Sequence, residues 1–235
     1  MAMITPIPAL SDNYIWILQK GTQAVIVDPA EAKSVMAFFA KNTLKPTAIL
    51  LTHNHKDHTD GVAEIVSHYP NIMVYGPSEV SQFTDKIVQD GDIFTLLDLP
   101  ILVIKSAGHT AEHISYLVDN RDLFCGDALF SGGCGRVFTG DYQAQFEALQ
   151  RFKQLNDTVN VYPAHEYTLN NLKFAQTIMP ANCELIEYQE RADILRAQNR
   201  PTLPTTIGIE KKINPFMRAE NLATFIELRK KKDNF

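Results

Sequence analysis

The stretch Thr52-His53-Asn54-His55-Lys56-Asp57-His58 places three imidazoles and a carboxylate within six positions. Packing such groups together is costly unless something neutralises or coordinates them. Neutral imidazole and carboxylate oxygen both suit zinc, iron and related divalent cations. On a helix, His53 and His55 would point to different sides. The segment follows the strand-like run Thr47–Leu51, and a loop there can aim several side chains at one point. A polar surface loop with chance histidines is the bland reading, and this spacing makes it the weaker one.

Three further residues repeat the pattern. His109 follows the run Ile101–Lys105, Asp127 follows Asp122–Cys125, and His165 follows Val159–Tyr162, each beside Gly108, Gly126 or Pro163. Loops at one edge of a sheet can converge on a rigid scaffold. Five His and two Asp exceed the needs of one tetrahedral zinc, and suit two cations that share a carboxylate.

The surrounding runs Tyr14–Leu18, Ala24–Val27, Ile72–Tyr75 and Ile114–Val118 have strand length and composition. Val35, Phe38 and Phe39 make one helical stripe; Phe146, Leu149, Phe152 and Leu155 make another. Strands with interspersed helices indicate stacked α and β layers. From about Thr168 the texture turns helical, with Thr168–Met179, Asn182–Gln198 and Glu220–Lys231 read as helices and no strand. We therefore divide the chain at residue 168, into a catalytic domain, 1–168, and a helical domain, 169–235.

With 22 Lys and Arg against 27 Asp and Glu, the 235-residue chain carries a net charge of −5, which argues against nucleic acid as main partner. No apolar run approaches membrane-span length, and the first basic residue is Lys20, so no targeting segment is expected. Cys125, Cys134 and Cys183 have no metal-site spacing and read as reduced thiols, which points to the cytoplasm.

The run His53-x-His55-x-Asp57-His58, with His109, Asp127 and His165, resembles the metal signature of the metallo-β-lactamase superfamily. Leu129-Phe130-Ser131-Gly132-Gly133-Cys134-Gly135-Arg136, Ala164-His165-Glu166-Tyr167-Thr168, Asn214-Pro215-Phe216-Met217-Arg218 and the terminal Arg229 to Phe235 narrow the resemblance to the glyoxalase II, or hydroxyacylglutathione hydrolase, branch. Asp12-Asn13-Tyr14 fits as well. The resemblance implies an αββα sandwich with a C-terminal helical domain. It implies one cation held by His53, His55 and His109 and another by Asp57, His58 and His165. Asp127 would bridge them, opposite a bridging water or hydroxide. Zinc is the first expectation, with iron or manganese as options, and Asp57 and Asp127 are the carboxylates on which catalysis rests. Arg136, Phe138, Tyr167, Arg229 and Lys232 are implied as contacts to glutathione. Phe138 departs from a pattern in which some members carry tyrosine, and Ala30 and Glu112 stand where Gly is common.

The implied reaction is hydrolysis of S-(2-hydroxyacyl)glutathione, typically S-D-lactoylglutathione, by a monomer with no macromolecular partner. With its imidazoles committed to metal, the site lacks an evident acid for the leaving group. That suits a thiolate, whose thiol pKa is near 8.5, better than an amine. The rival within the superfamily is a mononuclear-iron persulfide dioxygenase, which would use two His and one Asp. Among other residues, Asp28 is read equally as an aspartate orienting a ligand imidazole and as a plain turn residue. His113 is expected to bond locally, His68 to end a surface helix, and Cys134 to be small and structural.

Overall fold

The computed structural model describes residues 2–235. The chain divides into two compact units. The first runs to Lys105 and adds Glu112–Asn120; the second comprises Ser106–Ala111 and Arg121–Phe235.

In the first unit, β1 (Met3–Ala9), β2 (Asn13–Lys20), β3 (Gln23–Val27), β4 (Lys45–Leu50), β5 (Met73–Gly76) and β6 (Lys86–Ile87) form a sheet in that order. The first three are antiparallel and the rest parallel. Helix α1 (Ala32–Asn42) makes the crossover from β3 to β4; α2 (Lys56–Thr59) and α3 (Val62–His68) make the next. Period-two alternation sends Ile15, Ile17, Ala24, Ile26 and Ile49 into one cluster with Val35 and Phe39 of α1 and Val62 and Ile65 of α3. Tyr14, Trp16, Val25, Val27 and Leu50, which alternate with them, are buried as well. Burial on both faces explains why these strands read as unbroken apolar runs. An antiparallel meander, β7 (Ile93–Leu96), β8 (Leu99–Lys105) and β9 (Ile114–Val118), completes the unit. Phe94 stacks on Tyr75 at 4.8 Å, and the Tyr116 hydroxyl donates to the Leu51 carbonyl at 2.8 Å.

In the second unit, β10 (Asp122–Gly126) and β11 (Asn160–Pro163) run parallel, joined through α4 (Tyr142–Lys153). The chain continues through α5 (Thr168–Ile178), α6 (Cys183–Ala197), β12 (Thr205–Thr206), α7 (Ile207–Ile213), α8 (Pro215–Arg218) and α9 (Leu222–Asp233). Side chains cap the helices where polar residues precede them: Asp141 accepts from the Ala144 N–H, Asn182 from Leu185, and Asn221 from Thr224. Phe146 and Phe216 pack on Phe225, and Phe174 on Phe216, so aromatic rings knit α4, α5, α8 and α9 together.

Two expectations are corrected here. The stretch after residue 168 does hold a strand, since Thr205–Thr206 pairs antiparallel with Asn160 and Val161. Two residues are too few to show alternation. The second helical stripe also ends early: α4 stops at Lys153, so Leu155 lies beyond it.

Candidate metal centre

In the first unit a buried carboxylate, Asp28, anchors two of the four candidate ligands. Asp28, in the left-handed region just after β3, accepts from the Thr52 N–H at 2.8 Å through Oδ1. Its Oδ2 accepts from the Thr52 hydroxyl at 2.7 Å and faces His58 Nδ1 at 3.0 Å. Thr52 has given its hydrogen to Asp28, so its oxygen accepts from His53 Nδ1, 3.0 Å away. Both imidazoles thereby carry their hydrogen on Nδ1 and their lone pair on Nε2. Asp28 is thus an orienting residue, the first of its two readings. His53 and His55 lie in the loop, where Nε2 of His53 sits 3.0 Å from Nδ1 of His55. Asp57 and His58 fall on the short helix α2, with Asp57 Oδ2 3.6 Å from His58 Nε2. Asn13, at the start of β2, donates to the Asp57 backbone carbonyl at 3.1 Å and to its carboxylate at 3.2 Å.

The second unit gathers the other three. His109 donates from Nδ1 to the Arg136 carbonyl at 2.8 Å, because a carbonyl can only accept. Its Nε2 lone pair faces Asp127 Oδ2 at 3.3 Å, and His165 Nε2 faces Asp127 Oδ1 at 3.3 Å. His109, Asp127 and His165 are all buried. A lone pair pointed at a carboxylate oxygen across that distance repels it unless a cation stands between. Two ligands each about 2.1 Å from a tetrahedral cation lie about 3.4 Å apart, so the spacings in both units suit a divalent metal. The residues fit the group that the sequence implies.

The other singled-out histidines play different parts. His113 is fully buried and its ring stacks on His53 at 4.8 Å, so it supports that candidate ligand from the side. His68 ends α3 on the surface, its Nδ1 3.0 Å from the Glu64 carbonyl.

The five expected glutathione contacts all belong to the second unit. Arg136, Tyr167, Arg229 and Lys232 line a cavity of about 240 Å³ together with Phe130 and Phe235. Phe138 is exposed, with its ring edge against His109 at 5.3 Å. Tyr167 stacks on His165 at 4.6 Å. Arg229 is buried at 4% exposure. It lies over the Phe216 ring at 5.0 Å, donates to the Cys134 carbonyl at 2.7 Å and pairs with Asp233 at 3.0 Å. Its guanidinium therefore braces the cavity wall as well as charging it. Lys232 sits between the Phe174 and Phe235 rings and donates to the Asn170 carbonyl at 3.2 Å. Burial, and then the Arg229 charge, pulls its ammonium down to about 8. Burial pushes the Cys134 thiol up, against Arg229, which keeps it a poor nucleophile.

The sequence alone did not give parts to Thr52, Asn13 or Glu210. Thr52 flanks the ligand run and Asn13 opens a strand. Glu210, fully buried on α7, sits in Gly208-Ile209-Glu210-Lys211-Lys212, where two neighbouring lysines give no sign of its burial.

Comparison with known proteins places this arrangement. The family model described as the metallo-beta-lactamase superfamily matches residues 10–165. That described as the hydroxyacylglutathione hydrolase C-terminus matches residues 166–235. A hydroxyacylglutathione hydrolase of Glaesserella parasuis is 69% identical, with 100% of both chains covered. This chain belongs to the hydroxyacylglutathione hydrolase family. A relative of the same name from Actinobacillus pleuropneumoniae is 63% identical, again with 100% of both chains covered. The fold is that of the metallo-β-lactamases, with two mixed sheets and helices and a C-terminal helical domain. The solved structure of ETHE1 from Myxococcus xanthus shares it, with a TM-score of 0.74 at 24% identity over 97% of this chain and 90% of that one. No helix among the described residues is long and apolar enough to cross a membrane.

Proposed function

We propose that this chain hydrolyses S-(2-hydroxyacyl)glutathione thioesters, with S-D-lactoylglutathione the typical substrate and glutathione and D-lactate the products. Family membership supports the reaction, and the observation that carries the chemistry is Asp127, whose two oxygens face the Nε2 atoms of His109 and His165. In this reading His53, His55 and His109 hold one cation, Asp57, His58 and His165 hold the other, and Asp127 bridges. Zinc is the preferred occupant, with iron or manganese as options. When bound, two such cations supply an acidified water at neutral pH and positive charge for the oxyanion that forms at the carbonyl.

The chain's own residues prepare that site. Asp28 through His58, Thr52 through His53 and the Arg136 carbonyl through His109 keep hydrogen on Nδ1 and the lone pair on Nε2. Asn13 holds Asp57 from two directions. With the imidazoles so committed, the leaving group departs without a dedicated acid, which favours thiolate. Arg136, Arg229 and Lys232 supply positive charge for the glutathione carboxylates, Tyr167 a hydroxyl and Phe138 an apolar surface, and Arg229 also braces the wall. Residues 1–168 form the catalytic domain and 169–235 the substrate-binding domain. The chain acts as a cytoplasmic monomer in methylglyoxal detoxification.

Metal analysis of the purified chain beside thioester-hydrolysis and oxygen-uptake assays tests this. Two metals per chain with rapid hydrolysis of lactoylglutathione is the expected result. One iron per chain with oxygen consumed on glutathione persulfide would replace the hydrolase by the dioxygenase.

Lys232 adds a pH dependence. Its ammonium deprotonates near pH 8, so KM for the anionic thioester rises as pH passes that value. The rise is about fivefold, because the group is only half-buried and solvent screens part of its pull. In Lys232→Met, KM is already high at neutral pH and no longer climbs with that midpoint. An unchanged profile in the variant would remove Lys232 from substrate binding.

A further inference from the structure

Glu210 is a carboxylate buried on α7, far in sequence from every candidate ligand, and it accepts four hydrogen bonds. The Ser131 hydroxyl donates to Oε1 at 3.0 Å and the Thr205 hydroxyl to the same oxygen at 2.8 Å. The Gly132 N–H donates to Oε2 at 2.8 Å and Asn214 Nδ2 to that oxygen at 2.9 Å. Asn214 also donates to the Phe130 carbonyl at 3.2 Å and the Gly133 carbonyl at 2.9 Å. Two side chains of the C-terminal segment therefore grip four consecutive residues of one loop, Phe130 to Gly133.

The same loop ends on the metal ligands. Gly135 packs so closely that a Cβ there would lie 2.1 Å from the Asp127 carbonyl and 2.9 Å from His109 Nδ1. The next residue, Arg136, supplies the carbonyl that fixes the His109 hydrogen on Nδ1. Only Cys134 and Gly135 lie between the gripped end of the loop, Gly133, and the residue that orients His109, so a shift of the gripped residues is passed on to the Arg136 carbonyl.

We propose that Glu210 is a positioning residue for the metal centre, acting through the loop Ser131–Arg136 to set the orientation of His109. This deepens the proposed function and rests on its reading of His109 as a ligand. A buried carboxylate accepting four donors is a rigid post, and outer partners of metal ligands typically hold about 10–100-fold of metal affinity. Glu210 acts two contacts away, so its share lies near the lower end of that range.

The test titrates metal-free full-length chain with zinc and with cobalt(II), reading stoichiometry, affinity and the cobalt visible spectrum, with thermal melts alongside. Glu210→Ala is expected to weaken one of the two cations about tenfold and to alter the cobalt bands of that site. Ser131→Ala, which removes the donor on the loop side, is expected to weaken the same cation about threefold. Thr205→Val removes a donor to the same oxygen from the side away from the loop. It is expected to lower the melting temperature as Ser131→Ala does, with cation affinity and spectrum unchanged. Should Glu210→Ala not fold, the Ser131 and Thr205 pair still decides. Equal cation affinity in those two, or wild-type affinity for both cations in folded Glu210→Ala, would overturn the positioning role. A wild-type chain that takes up no pair of cations would instead sink the metal-centre reading beneath it.

Discussion

Asp127→Asn is expected to bind fewer than two cations per chain and to lose nearly all hydrolytic activity. The carboxylate stands with one oxygen 3.3 Å from His109 Nε2 and the other 3.3 Å from His165 Nε2. The Arg136 carbonyl fixes the His109 hydrogen on the far nitrogen, so that face of the imidazole is an acceptor. An amide puts one oxygen and one NH2 group where two anionic oxygens stood. The NH2 group can donate to one imidazole nitrogen and so ties it up instead of sharing a cation with it. The bridge loses both its charge and one of its two ligand atoms. Loss of an outer partner alone costs metal sites about 10–100-fold in affinity, and removal of a bridging ligand should exceed that. Metal analysis after dialysis, beside a thioester-hydrolysis assay, reads the result. Two tightly held cations in a folded Asp127→Asn chain would end the bridging assignment.

The candidate metal ligands stood out in the sequence because their chemistry is dense and improbable elsewhere. His53, His55, Asp57 and His58 crowd one loop, and His109, Asp127 and His165 each follow a strand whose apolar run is plain. Strands β2, β3, β9 and β10 were legible because burial on both faces writes continuous apolar runs. β1 was not. Its Pro6 and Pro8 argue against a strand, yet it is an edge strand paired only to β2, where missing donors cost nothing. β12 is two residues long, and α7 and α8 are short helices, one holding a glycine and the other opening on proline.

Arg229 shows a different limit. In Arg229-Lys230-Lys231-Lys232 it is one of four successive basic residues, and the family resemblance implies Arg229 and Lys232 as contacts to glutathione. Both do line one cavity. Arg229 also donates to Cys134, 95 positions away in sequence, and pairs with Asp233. Long-range partners of that kind leave no periodicity to read. Glu210 and Asn214 were hidden by the same circumstance, since their partners in Phe130–Gly133 lie about eighty residues away.

Gly135→Ala is expected to disable the centre more thoroughly than its single methyl group suggests. A Cβ at Gly135 would sit 2.1 Å from the Asp127 carbonyl and 2.9 Å from His109 Nδ1, distances that atoms do not tolerate. The Asp127 carbonyl is backbone, so relief requires the loop itself to retreat. On one side that loop is tied by Glu210, Asn214 and Arg229, whose bonds to Gly132, Gly133 and Cys134 oppose such a shift. Overpacking of a fixed site costs about 1–3 kcal/mol and sometimes more, and here the displaced atoms are the partners of two proposed ligands. Stability should fall by that amount, and cation binding and hydrolysis should fall much further. Gly140→Ala is the control. It lies at φ +76° with nothing within 4 Å of the added carbon, so it meets only backbone strain, about 1 kcal/mol, and should keep its metals. Thermal melts with metal analysis on both variants separate the two costs. If Gly135→Ala keeps two cations and wild-type hydrolysis, the loop does not hold His109 and Asp127 in place, and the contacts seen there are incidental to the chemistry.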